Sequence, residues 1–133
     1  MKTLSAEIIF ENGSLVGDIQ HQFNMFYPFL RIEFLKQSGH VTGKNVKLPA
    51  THKLTDTSNT RTFCVLNVDK NRTVAQITND CLTSLGLAVQ VLRKSGNVWN
   101  LISITDGWTL ENQNNAAQFI SSEMGTQGAD FGV

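Results

Sequence analysis

Three histidines (His21, His40 and His52) and two cysteines (Cys64 and Cys81) are the side chains best suited to bind a metal or carry a nucleophile. A zinc site needs ligands converging on one point, which sequences usually signal by HExxH or paired Cys-x-x-Cys spacing. Neither motif is present, and no two histidines stand at i, i+4 spacing. A cysteine nucleophile needs a neighbouring base and a lowered pKa. Nothing beside Cys64 or Cys81 supplies one, so both read as small buried hydrophobes. The glycines, among them Gly13, Gly17, Gly39, Gly86, Gly96 and Gly107, form no GxGxxG and no P-loop. Glu7, Asp18, Glu33 and Asp106 are acids without a recognisable partner. No catalytic residue, metal ligand or cofactor is assigned, and the balance leans away from an enzyme.

The elements that would position these residues follow from hydrophobic spacing. Ala6, Ile8 and Phe10 alternate as in a strand, and Val16, Ile19, Phe23 and Phe26 recur at helical spacing. Pro28 ends that helix, and Leu30, Ile32 and Phe34 resume the period of two. The same order returns further on. Ala6 to Tyr27 aligns without a gap to Cys64 to Leu85, so that Ile8 meets Leu66, Phe10 meets Val68, Val16 meets Val74, Ile19 meets Ile77 and Phe23 meets Cys81. After one deletion, Leu30, Ile32 and Phe34 meet Leu87, Val89 and Val91. In the second copy Thr73 and Gln76 have capping-box spacing, and Gly86 stands where a helix would stop. Beyond each β-α-β unit the copies diverge. Residues 40–60 are polar with Val46 and Leu48 the one hint of a strand, whereas Val98 to Ile102 forms a hairpin with the strand before it. A third helix starts near Thr109 and turns Leu110, Ala117, Ile120 and Met124 inward.

The expected fold is therefore α+β, with internally duplicated β-α-β units sharing one mainly antiparallel sheet. Helices lie on one face, in a ferredoxin-like or related plan, with an extra C-terminal hairpin and helix. Two β-grasp-like lobes are the alternative, but each would have a marginal core. Residues 1–124 are expected to form one domain: repeats at about 4–39 and 62–96, then the hairpin and helix over 97–124. Residues 125–133 lack periodicity and read as a flexible tail.

The chain of 133 residues is 41% hydrophobic and 17% charged, enough to fold around an ordinary core. Eleven basic and eleven acidic residues cancel, and Arg93-Lys94 is the sole adjacent basic pair. Nucleic-acid binders gain affinity from a basic surplus that is missing here. The N-terminal residues lack the apolar region of a signal peptide, no apolar run would span a membrane, and two cysteines make no disulfide framework. The expected location is cytoplasmic, without a membrane partner.

Strand parity isolates one further set. If Ile8 and Phe10 point toward the helices, then Ile9, Leu35, Phe63, Val65 and Leu92 point away, together with Glu7, Arg31, Glu33 and Gln90. A solvated sheet face should be mostly polar, so this amphipathic composition marks a candidate interface. Ile9, Leu35, Phe63, Val65, Leu92 and Trp99 are its members, and a homodimer or another protein is the expected partner. Cover from the third helix or the 40–60 loop is the competing explanation. Trp99 and Trp108 fit a contact role or a core lid equally.

The stretch Arg93-Lys94-Ser95-Gly96-Asn97-Val98-Trp99, followed by Thr105-Asp106-Gly107-Trp108-Thr109-Leu110, resembles a pattern in a group of small uncharacterised bacterial proteins. That resemblance implies no activity and no functional residue. Three readings follow from the sequence: a non-catalytic interaction or assembly module self-associating through an open sheet face, a small-molecule-sensing regulatory domain, and a small enzyme with an inter-subunit site. The absence of converging polar groups favours the first.

Overall fold

Alternating and helical spacings produce the elements they predict. The computed structural model describes residues 6–11, 13–36, 46–54 and 64–131. The first half contains β1 (Glu7–Phe10), α1 (Val16–Phe26), β2 (Leu30–Lys36) and β3 (Val46–Lys47). The second contains β4 (Cys64–Asn67), α2 (Val74–Leu85), β5 (Ala88–Ser95), β6 (Val98–Leu101) and α3 (Leu110–Phe131). Asp18 Oδ2 accepts the Leu15 amide at the start of α1. At α2 the capping box is complete: Gln76 N donates to Thr73 Oγ1 and Thr73 N to Gln76 Oε1. Such a cap stabilises a helix by about 0.5–2 kcal/mol. Gly86 ends α2 with φ 68°, a backbone shape that a β-carbon resists.

The result is an α+β fold with two antiparallel sheets rather than the single shared sheet expected. Among the described residues β1 pairs with β4 alone, while the other sheet has the order β3-β2-β5-β6. The registers explain why. Ile8 lies opposite Leu66 in the ribbon, and Glu33 lies opposite Gln90 in the larger sheet. β1 and β2 thus each pair antiparallel with their own counterparts, β4 and β5, and this separates β1 from β2 instead of placing them side by side. The ribbon and the helices then share one layer over the inner face of the four-stranded sheet. Phe10 meets Phe34 edge-on across this gap, with ring centroids 6.3 Å apart.

Ile8, Ile19, Phe23, Leu30, Ile32, Leu66, Val74, Ile77, Cys81, Leu87 and Val91 form one buried core from both halves. Each large side chain buried in this way contributes roughly 1.5–3 kcal/mol. α3 joins the same layer. Its Leu110 is in the core, Gln113 Oε1 accepts from Arg93 Nη1, and Asn114 Oδ1 accepts the Phe29 amide. Among the described residues, all three helices thus pack on the inner side of the four-stranded sheet. α3 also continues to Phe131, past Gly125, where a tail was expected.

The halves stay alike beyond β2 and β5, where the sequence patterns diverge. Leu48 N donates to Phe34 O at 2.8 Å, and Ile102 N to Val91 O at 3.0 Å. Each chain then folds back onto its helix start: Leu15 bridges Lys53, and Thr73 bridges Thr109. Gly17 N donates to Ala50 O and Ala75 N to Asp106 O, both at 2.9 Å. Leu54 N reaches Ser14 O, and Leu110 N reaches Arg72 O. Loops of unequal length shift the alignment and hide this correspondence in the sequence.

Candidate functional site

Side chains directly opposite in antiparallel strands share a face. On the outer face of the large sheet this places Arg31, Glu33 and Leu35 beside Leu92, Gln90 and Ala88, with Lys47, Trp99 and Leu101 on the flanking strands. Glu33 is central and only 4% exposed. Burying a carboxylate is costly unless charge and lone pairs are met. Gln90 Nε2 donates to its Oε1 at 2.7 Å, and Arg31 Nε and Lys47 Nζ each lie 3.5 Å from Oε2. The Arg31 guanidinium also sits 5.9 Å from the Trp99 ring centroid, a cation–π contact. The Glu33 carboxylate is thus met within the protomer by one amide and two cations. Leu35 and Leu92 flank it and are already buried, while Leu101 remains exposed.

The five candidate interface residues that the structure describes do not form one patch. Leu35, Leu92 and Trp99 share the outer sheet face. Ile9 and Val65 lie opposite each other in the ribbon and are 41% and 45% exposed. Ile9 lines a cleft with the solvent side of α1, so the ribbon's exposed side belongs to the helical layer. The parity rule sorted each strand correctly, but two sheets carry the two sets to different sides. Phe63 and His40 lie outside the described residues, as do the side chains of Cys64 and Met124.

The titratable groups are dispersed. Among the described residues no three His, Cys, Asp or Glu side chains gather as they would around a metal ion. His21 is exposed, and His52 lies in the segment that folds back on α1, its carbonyl accepting the Val16 amide. Cys81 is a buried free thiol, pushed up to about 12 by burial and then by the Asp80 charge. It stays protonated at neutral pH, which withholds the nucleophilic thiolate. Burial, then Asp69 and Glu111, raise Tyr27 to about 12 as well, and its hydroxyl donates to Val68 O. No helix among the described residues is long and apolar enough to cross a membrane.

Two open clefts lie in the helical layer. One, of about 520 Å³, is lined by Ile9, Glu11, Ser14, Asp18, His21 and Gln22. The other, of about 390 Å³, runs between α2 and the start of β5, with Thr78, Leu82, Ala88 and Val89 among its walls. In the first half, the place matching this second groove is closed by side chains. Gln20 Nε2 donates to Ile32 O, and Asn24 Nδ2 to Pro28 O and Leu30 O. Sequence reading missed the clefts, the Glu33 network and the buried Gln113. Parity did place Glu33 on the outer face, but its burial depends on partners from β3 and β5 that no local pattern reveals.

The chain matches no known protein-family model, no curated protein and no solved structure. Function therefore rests on the geometry of these surfaces.

Proposed function

We propose that the chain is a non-catalytic interaction module that self-associates through the outer face of its four-stranded sheet. One observation carries this reading: all three helices and the ribbon lie on the inner side, leaving Leu101 and the half-buried Trp99 outside beside Leu35 and Leu92. An apolar group in such a position is normally covered. The buried charge at its centre does not oppose contact, because Glu33 already has its partners within the protomer. Pairing by a two-fold axis is the commonest way to cover such a face. The matching registers and fold-back segments also support a duplicated β-α-β-β unit as the origin of the architecture.

Molar mass measured by light scattering or sedimentation over a wide concentration range tests the module reading. The expected result is a dimer that Leu101→Lys dissociates with unchanged circular dichroism. Val65→Lys, on the ribbon, should leave the mass unaltered. A monomer at the highest concentration, or dissociation by Val65→Lys alone, sinks the proposal.

A further inference from the structure

The two halves treat the sheet edge beside their helices differently. In each half an outer strand runs along the central one and then leaves it. Leu48 N donates to Phe34 O and Ile102 N to Val91 O; beyond these bonds the chain crosses to the helix start, where Ala50 O accepts from Gly17 N and Asp106 O from Ala75 N. Among the described residues, the first part of β2 and of β5 therefore has no strand on that side. Main-chain groups alternate sides along a strand. Ile32 and Val89, two residues before Phe34 and Val91, thus turn theirs toward the gap. In the first half the chain fills it with its own carboxamides: Gln20 Nε2 donates to Ile32 O at 2.9 Å and Asn24 Nδ2 to Leu30 O at 3.2 Å. The matching residues of α2 are Thr78 and Leu82. The Thr78 hydroxyl donates to Ala75 O in its own helix, and Leu82 has no donor and is 50% exposed. Here the gap is the groove of about 390 Å³, walled by Ala75, Thr78, Asn79, Leu82, Ala88 and Val89.

The first half shows what such a gap takes: amide N–H groups aimed at the outward carbonyls of the strand. The second half presents the Val89 main chain with no side-chain donor among the described residues, between the exposed Leu82 and a wall that carries no charge. We propose that this groove receives an extended, uncharged segment of a partner protein, added as a strand beside Val89. The segment lies on the line that β6 would follow if it continued beyond Ile102. Its amide donates to the Val89 carbonyl, and main-chain bonds of this kind supply the affinity in strand addition. Its small or β-branched side chains rest against Leu82 and Ala88. A charged side chain is rejected, because none of the six wall residues could pair with it. The groove lies beside α2 and not on the outer sheet face, so it stands or falls independently of the self-association proposed above.

The test is titration of the ¹⁵N-labelled protein with a blocked peptide of about five residues alternating threonine and valine, which favour extended chains. Parallel arms use the peptide N-methylated at its threonine amides, N-methylated at its valine amides, or carrying glutamate in place of valine. The expected result is saturable shifts of the Thr78, Leu82 and Val89 amides. The glutamate peptide and at least one N-methylated peptide should bind at least about tenfold more weakly. Thr78→Gln combined with Leu82→Asn rebuilds the closure of the first half and should abolish binding while the circular dichroism is retained. Leu82→Asn alone supplies one of the two donors and should weaken binding at least about fivefold. It also serves if the double variant fails to fold. Shifts that do not saturate, undiminished binding of both N-methylated peptides or of the glutamate peptide, or full binding by Leu82→Asn would each overturn the assignment. Shifts of the Val89 amide with protein concentration alone would give the groove to a second copy of this chain and overturn the choice of a different partner.

Discussion

Glu33 and Gln90 face each other across β2 and β5, joined by a 2.7 Å hydrogen bond from Gln90 Nε2 to Glu33 Oε1. They are counterparts in the two halves, as are Ile8 and Leu66, which face each other in the ribbon. A local two-fold axis therefore passes between the members of both pairs. A residue on such an axis meets its own counterpart, so a repeated glutamate would set two carboxylates against each other. One acid and one amide avoid this.

Gln90→Glu should restore that conflict. Like charges this close raise the folded-state pKa of the coupled pair above its unfolded value. Stability is then kept at acid pH and lost as pH rises through the raised values. The expected cost at neutral pH is about 1–3 kcal/mol, from a lost donor beside a buried charge. Urea denaturation at pH 4 and pH 7 should show the deficit mainly at the higher pH.

Cys81 and Tyr27 make the opposite limit of the pH range informative. Both are raised to about 12 in the folded protein, from ordinary values of 9.0 and 10.0. Below about pH 8 both are protonated in either state and contribute no pH dependence; the Cys81 contribution begins as pH rises toward 9. From pH 9 toward 12 the unfolded chain loses protons that the folded chain keeps, so stability falls. Thermal unfolding across this window should show a progressive decline that Cys81→Ala together with Tyr27→Phe reduces. At pH 7.5, labelling of Cys81 by a thiol reagent should be slow without denaturant and fast in it.

Legibility in the sequence followed the range of the interaction. The first two helices, their stops at Pro28 and Gly86, and the inward set Ile8, Phe10, Ile19 and Phe23 depend on local spacing, and the structure has them as read, except that Phe26, placed on the same apolar stripe, turns out exposed. The pairing of β1 with β4 depends on contacts between halves, and the hydrophobic pattern of a strand does not name its partner. Hence the single sheet and the single interface patch were both expected and are both replaced. The matching of residues 46–54 with 100–110 was hidden because it rests on backbone hydrogen bonds, which tolerate almost any side chain.

Phe23 and Phe26 give a direct check on the helix face. Phe23 is fully buried and packs on Tyr27 at 5.7 Å between ring centroids, whereas Phe26 is 44% exposed. Phe23→Ala should cost about 3–5 kcal/mol, and Phe26→Ala far less. Equal losses in chemical denaturation would contradict the orientation of α1.

Gln113 tests what holds α3 against the sheet. It is fully buried, an unusual place for an amide, and makes three hydrogen bonds to two parts of the chain. Its Oε1 accepts from Arg93 Nη1 at 3.1 Å, and its Nε2 donates to Thr105 O at 2.6 Å and to Thr105 Oγ1 at 3.1 Å. The amide thus ties α3 both to β5 and to the turn that precedes the helix. Gln113→Leu keeps much of the volume but removes all three bonds, leaving part of the Arg93 guanidinium without its acceptor, while the Thr105 carbonyl keeps only the Trp108 amide. A buried polar group left in that state costs about 1–3 kcal/mol. Hydrogen exchange should then show lost protection first in α3 and at Ile102–Leu110, with β2 and α1 retained. Uniform loss across the chain would mean that α3 is not a separately anchored element.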